Sequence, residues 1–251
     1  MKISIITICF NAVEHIDETL RSVVMQDHRD IEHIVVDGGS TDGTQKKIER
    51  YREVIAHYVS ENDKGVYDAM NKGLRAATGE VIAFVNAGDM IAHRSCVSEM
   101  AAAFVGSDAE AIYGDAYMVD PSDIKKVIRF WRGGEYRREA FRTGWMPPHL
   151  GTYIRKSVYD RFGHFRDDLK VSADYELMFR FMYKHRIRVR YIPKVLVRFR
   201  LGGVSNRSLG HIWRANLEVY KAWKLNDERV SPLIVLAKPL RKVAQLFARK
   251  A

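Results

Sequence analysis

SENDKGVYDAMNKGLRAATGEVIAFVNAGD, residues 60–89, passes from an acidic, glycine-containing loop through a short helix into a buried strand and out to a lone carboxylate. The run 80–85 (Glu80-Val81-Ile82-Ala83-Phe84-Val85) has the length and apolar character of a parallel strand buried on both faces. Ligands of open α/β sheets collect beyond the carboxyl ends of such strands. Asp89 follows one such end, and Ala87 and Gly88 leave room there for a bulky anion and its metal. The same logic extends outward along the chain. Residues 3–9 and 31–37 read as strands; 42–52 and 67–77 read as helices, with a strand over 54–59 between them. Strict alternation of strand and helix predicts a parallel, right-handed α/β sheet for the first half. Asn11 is placed to cap the first helix, whose apolar face is Ile16, Leu20, Val23 and Val24. A helix over 92–104 follows Asp89.

The second half is less regular. Residues 111–117 and 126–131 suggest antiparallel strands around a Pro121-Ser122 turn, and 173–185 a helix with Leu177, Met178 and Phe181 on one face. Short strands over 188–192 and 195–199 flank Pro193, and 208–224 reads as a helix with an aromatic stripe of Trp213, Leu217, Tyr220 and Trp223 packed on the core. No linker divides the chain, so its 251 residues form one elaborated domain with halves at 1–115 and 116–207 and a helical extension over 208–251. Cys9 and Cys96 lack metal-ligand spacing and read as reduced core thiols. Met1-Lys2-Ile3 runs straight into a strand pattern, so no signal peptide is expected ahead of the fold, and no apolar run is long enough to span a bilayer.

The formal charge of +10 is the unusual total. It implies an anionic partner: nucleic acid, lipid, or a phosphorylated small molecule. Nucleic acid fits poorly, because the acidic loops would repel phosphate backbones and no recognition module is present. An oxidoreductase fits as poorly, since no Gly-x-Gly-x-x-Gly follows a strand.

Three carboxylates carry the candidate chemistry. Asp37 ends a strand before Gly38-Gly39-Ser40-Thr41-Asp42-Gly43, where it either receives the polar edge of a base or ribose or simply ends the strand. Asp89 reads as a helix cap or as a ligand of Mg²⁺ or Mn²⁺ completed by substrate phosphates. Asp174, in Val171-Ser172-Ala173-Asp174-Tyr175-Glu176, opens a helix and reads as a dipole-stabilising acid or as a general base; Glu176 shares that opening. His149 follows the rigid Pro147-Pro148 turn, and Gly202-Gly203-Val204-Ser205 lies among Arg198, Arg200 and Arg207 as an anion clamp or a solvated loop. His149 reads as a structural histidine or, with Glu176, Arg200 and Ser205, as part of a candidate phosphate or second-substrate side.

These segments, in this order, carry a resemblance. Ile5-Ile6-Thr7-Ile8-Cys9-Phe10-Asn11, Val36-Asp37-Gly38-Gly39-Ser40-Thr41-Asp42-Gly43-Thr44, Asp63 to Gly73, Asn86-Ala87-Gly88-Asp89 and Ser172-Ala173-Asp174-Tyr175-Glu176 are similar to motifs of family 2 glycosyltransferases, over residues 2–207. The resemblance implies a GT-A fold: a Rossmann-like, mainly parallel sheet flanked by helices, with a smaller antiparallel acceptor-side portion and C-terminal helices. It further implies an inverting transfer from a nucleotide sugar, with uridine as the expected base, to an acceptor hydroxyl. On the same resemblance Asp37 binds the base, with Phe10 and the backbone at Ile8 lining its pocket. Asp63 and Lys64 lie by the nucleotide. Asn86, Ala87, Gly88 and Asp89 face the donor, Asp89 holds the divalent metal, and Asp174 is the base. Ala87 stands where the family's Asp-x-Asp motif has its first Asp, leaving the motif short of one metal ligand or one ribose contact. The Asn-Ala-Gly-Asp form resembles enzymes of bacterial surface-polysaccharide assembly, which implies a saccharide or lipid-linked saccharide acceptor and a cytoplasmic location. A sugar nucleotidyltransferase is the rival enzyme class, although its glycine-rich phosphate loop is absent, and a non-catalytic scaffold is a further reading.

From Ser231 onward, Leu233, Leu236, Leu240, Val243, Ala244 and Phe247 recur at helical spacing, with Lys238, Arg241, Lys242 and Arg249 on another face. Such a segment lies on a membrane surface, or packs on the enzyme or a second subunit; Pro239 would kink it.

Overall fold

The computed structural model describes residues 1–202, 209–232 and 234. Strands β1 (Ile3–Cys9), β2 (Ile31–Asp37), β3 (His57–Ser60) and β4 (Val81–Phe84) pair in parallel in the order β3-β2-β1-β4. Helices α1 (Ile16–Val24), α2 (Thr44–Glu49) and α3 (Val66–Ala76) make the crossovers. Every residue of β1 and β4 is buried, as expected of strands covered on both faces. The polar exceptions in this layer pair across strands. Ser4 Oγ donates to Glu32 Oε2 at 2.5 Å, and Thr7 Oγ1 lies 3.0 Å from His33 Nε2. Gly73 lets α3 press onto β1: a Cβ there would collide with the Ile6 side chain.

Beyond β4 the sheet continues through β8 (Thr152–Arg155), β6 (Ala111–Val119), β9 (Val189–Arg200) and β5 (Met90–Ile91), with β7 (Val127–Trp131) paired to β6 off this path. β8 is antiparallel to both β4 and β6, so the mixed portion follows the parallel one as expected. Helices α4 (Cys96–Phe104), α5 (Lys156–Phe162) and α6 (Ala173–Met178) cover it, and α6 runs into a π-helical segment over 179–184. The chain then reaches α7 (Leu209–Leu225).

Several local expectations need correction. Residues 188–199 are one strand, not two: the register of β9 against β6 shifts between Tyr191 and Val195, across Pro193, and again between Val195 and Val197, and the first irregularity absorbs the residue that cannot donate to the ladder. Asn11 does not cap α1. Its φ is +45°, its side-chain oxygen accepts the Thr41 N–H at 2.9 Å, and His15 occupies the cap position. Val24 is exposed while Ile16, Leu20 and Val23 are buried. Helix α4 begins at Cys96 rather than Ala92, because residues 90–91 pair with β9 first. The stripe of α7 is also different: Val219, Ala222 and Trp223 face the core, whereas Trp213 is 56% and Leu217 45% exposed. Cys9 and Cys96 are free and buried, and burial pushes both thiols up. The amphipathic pattern from Ser231 onward lies outside the described residues except at 231, 232 and 234. Among the described residues no helix is long and apolar enough to cross a membrane.

Candidate active site

The carboxyl ends of β1, β2 and β4 bring the first group of residues together. Cys9 and Asp37 are register partners at the ends of β1 and β2, and the Ala87 N–H donates to Ile8 O at 2.9 Å. Asp37 is fully buried. Ser40 N and Ser60 Oγ donate to its Oδ2 at 3.0 and 2.5 Å, Gln45 Nε2 reaches the same oxygen at 3.3 Å, and Ser40 Oγ donates to Oδ1. Burial alone would push this carboxyl upward; the bonds from Ser40 and Ser60 outweigh it and hold the pKa below the usual carboxylate range. With the Cys9 thiol 3.5 Å from Oδ1 as a weaker fifth donor, these bonds fill the roughly four lone-pair sites a carboxylate offers. Any base contact at Asp37 therefore exchanges with one of them, and Gln45 and Ser60 are the exposed donors.

Phe10 stands 62% exposed beside this end of the sheet. Gly38 is the hinge of the group: a Cβ there would collide with the Asp63 carboxylate and come within 3.3 Å of the Phe10 ring. Asp63 Oδ1 accepts the Gly65 N–H at 2.8 Å, which fixes the loop entering α3, and Lys64 is exposed on that loop.

The Asn86–Asp89 loop is held from two sides. Thr19 Oγ1 accepts the Gly88 N–H at 3.0 Å and donates to Asp89 O at 2.7 Å. Arg200 supplies the other brace: its N–H donates to Asp89 Oδ1 at 2.9 Å, its Nε to Gly88 O at 3.1 Å, its Nη1 to Pro121 O at 2.7 Å, and its Nη2 to Glu18. The guanidinium expected to clamp phosphate is thus engaged by Gly88, Pro121 and Glu18 within the protein. The Asp89 residue keeps some contact with solvent, yet its carboxyl is desolvated enough to be pushed up to about 7, with the Arg200 N–H and charge pulling the other way. A carboxylate in that state gains from a cation brought beside it. Asn86 Oδ1 is buried without a hydrogen-bond partner in the same loop. Among the described residues no group of three or more acidic, histidine or cysteine side chains is arranged to hold a metal ion. One carboxylate and one orphaned amide oxygen fit a hard divalent ion whose remaining ligands come from a diphosphate.

Asp174 joins this edge through aromatic side chains. Tyr67, from the first turn of α3, has one hydroxyl proton to share between Val171 O at 2.9 Å and Asp174 Oδ1 at 3.3 Å. Its ring stacks on Phe165 at 5.7 Å, and Phe165 meets the last residue of β4, Phe84, edge to face at 5.5 Å. His149 lies buried against both Phe84 and Phe165, and its Nε2 has no hydrogen-bond partner. Burial holds its pKa down, while the nearby Asp174 charge opposes part of that shift.

Glu176 lies elsewhere. It is 1% exposed, paired with Arg180 at 3.0 and 3.1 Å, and accepts the Asn226 amide at 2.9 Å. Arg180 in turn donates to Phe162 O, to Gly163 O at 3.2 Å and to His164 O at 2.6 Å. The pair ties α6 to α7 and to the turn after α5, so Glu176 is an internal strut rather than a residue of the acceptor side. Ser205 lies outside the described residues. Sequence reasoning missed Thr19, Ser60 and Phe165, whose contacts arise only across elements; Tyr67 was inside a quoted motif but without a role.

A mainly parallel sheet with acidic loops along its carboxyl edge, completed by an antiparallel portion that carries a further Asp, is the architecture of a GT-A nucleotide-sugar enzyme. The glycosyl transferase family 2 model matches residues 4–162, and the chain belongs to that family. A PGL/p-HBAD biosynthesis glycosyltransferase of Mycobacterium bovis is 28% identical over 211 residues, covering 81% of this chain and 78% of its own. TarS of S. aureus in complex with UDP-GlcNAc aligns with a TM-score of 0.69 at 19% identity, over 97% of this chain and 73% of that one. The mannosyltransferase PcManGT from Pyrobaculum calidifontis, in complex with GDP-Man and Mn²⁺, gives 0.66 at 22% identity, over 100% and 76%. Against the longer TarS chain this chain spans 44% of the length. The protein is a glycosyltransferase.

Proposed function

We propose that this glycosyltransferase moves a sugar from a nucleoside diphosphate sugar, UDP-linked in the first instance, to the hydroxyl of a saccharide carried on a lipid, with inversion at the anomeric carbon. The observation that supports the reading most is the chain of contacts from Phe84 at the end of β4 through Phe165 and Tyr67 to Asp174, which links that carboxylate to the donor-side sheet. The base of the nucleotide stacks on exposed Phe10, and its ring N–H replaces the Ser60 hydroxyl on Asp37. The diphosphate lies at the Asn86–Asp89 loop. Asp89 and Asn86 Oδ1 would hold a Mn²⁺ or Mg²⁺ ion, and such an ion supplies charge neutralisation to a departing diphosphate. Asp174 Oδ accepts the proton of the acceptor hydroxyl as that oxygen attacks the anomeric carbon from the face opposite the diphosphate. The C–O bond to the sugar forms, the bond to the diphosphate breaks, and the proton rests on Asp174. Tyr67 keeps the carboxyl oriented, and the Phe84–His149–Phe165 wall excludes water from its rear.

The chemistry of the relatives supports this, since solved complexes of the same fold hold UDP-GlcNAc and GDP-Man. The test is a panel of sugar nucleotides scored by thermal stabilisation with and without Mn²⁺, followed by product analysis on the best donor. Released nucleoside diphosphate supports the reading. Released pyrophosphate would assign a nucleotidyl transfer instead.

A further inference from the structure

We infer that the outward face of α7 is a docking surface for an anionic lipid bilayer. Trp213 and Leu217, one turn apart, project from this face with 56% and 45% of their surfaces exposed. Arg214, Lys221 and Lys224 are exposed around them at helical spacing. Lys224 reaches over the Tyr220 ring at 4.8 Å, and Lys221 is met by Asp168 at 3.5 Å. The only acid within the helix, Glu218, is turned inward: its carboxylate accepts the N–H groups of Lys170, Val171 and Ser172 at 3.1, 2.9 and 2.8 Å. The sequence that follows, 235–251, adds Lys238, Arg241, Lys242, Arg249 and Lys250 and no acid. An indole and a leucine ringed by cations is the composition that seeks the headgroup boundary of a membrane, where Trp anchors and basic residues meet anionic lipid. A second copy of the chain is a poorer occupant. A two-fold contact sets the same patch against itself and would oppose these cations to their own images.

The placement has a consequence for the reaction. The N–H groups that Glu218 holds belong to the segment leading directly into Asp174, and Ser172 Oγ donates to Ala215 O of the same helix at 3.1 Å. A bilayer under α7 therefore lies about one helix diameter, roughly 10–12 Å, from the base-bearing segment, on the side from which a lipid-carried acceptor arrives. The inference deepens the proposed function and rests on it for this purpose only, because docking is measured without any sugar transfer.

The experiment floats the full chain with vesicles of equimolar phosphatidylglycerol and phosphatidylcholine, and with phosphatidylcholine alone. The wild-type chain is expected to float with the anionic vesicles and to be released by high salt. Trp213→Ser with Leu217→Ser should lower partitioning by about tenfold or more, and Arg214→Glu with Lys224→Glu by at least about twentyfold, at roughly fivefold per cation removed. Both variants should keep the wild-type thermal midpoint and the stabilisation by UDP. A wild-type chain that ignores anionic vesicles, variants that float as wild type does, or a serine pair that dissolves a dimer seen by light scattering would each overturn the proposal. Flotation that persists in a chain unable to transfer any sugar would leave docking intact and overturn the catalytic reading instead.

Discussion

The Tyr67 hydroxyl and Asp174 Oδ1 lie 3.3 Å apart although 107 residues separate them in the chain. One belongs to the loop-to-helix segment on the donor side, the other to the helix that carries the base. The hydroxyl spans the two sides of the site, sharing its proton between Asp174 and the Val171 carbonyl at 2.9 Å, and burial together with the Asp174 charge keeps the phenol protonated, so that it donates.

Tyr67→Phe should therefore lower kcat by about two- to tenfold, the worth of one hydrogen bond of roughly 0.5–1.5 kcal/mol, with the donor KM unchanged. Steady-state kinetics with donor varied at saturating acceptor checks this. A change confined to the donor KM would detach Tyr67 from the base.

Asp89→Asn should remove the dependence of donor binding on Mn²⁺ while leaving the thermal midpoint of the free protein close to that of wild type, because the Arg200 N–H still has an oxygen to bond. Calorimetric titration with UDP, with the ion present and then chelated, reads both. An undiminished response to the ion in the variant would place the metal elsewhere.

Glu176→Ala should destabilise the fold by about 1–3 kcal/mol, since it removes both carboxylate bonds to Arg180 and leaves that partly exposed guanidinium with carbonyl partners only. Urea unfolding measures the loss. Glu176→Gln, which keeps one acceptor for Asn226 and Arg180, should lose less, and the folded fraction of either variant should bind donor normally.

These three cases also mark how far the chain could be read before it was folded. Apolar runs such as Val81 to Phe84 declare buried strands, and glycines with acids at strand ends declare the loops, so the parallel sheet of the first half was legible while its strand order was not. Asp174 and Glu176 were not distinguishable in the same way. Both open one helix, but two positions around a helix differ by about 200°, and only the position of Arg180 decides which acid turns inward. Arg200 presented the same problem: a cation near glycines looks like an anion clamp until Asp89, Gly88, Pro121 and Glu18 surround it. Pro193 suggested a break because a bulge between paired strands has no local signature. On α7 the apolar residues go nearly all round, so their spacing alone could not say that Trp213 faces outward.

Acid sensitivity should trace in part to His33. It is buried, Nδ1 has no partner, and desolvation pushes its pKa down to about 4. An unfolded histidine titrates near about 6.5, so the unfolded chain binds more protons between these values. The contribution is complete above the higher value, declines as pH falls through the window, and is exhausted below the lower one. His33→Gln should flatten urea-unfolding stability across that range. Glu32, pushed down to about 2 by hydrogen bonds from Ser4 and Thr78 that outweigh its burial, gives a separate decline at lower pH, which the His33 variant should retain.

Single-turnover transfer by Asp174→Asn, with donor binding measured alongside, tests the central claim most directly. The account predicts a fall of about 10²-fold or more in the rate of transfer with nucleotide affinity close to wild type. Transfer at the wild-type rate in a variant that binds donor normally would remove Asp174 as the base and contradict the account.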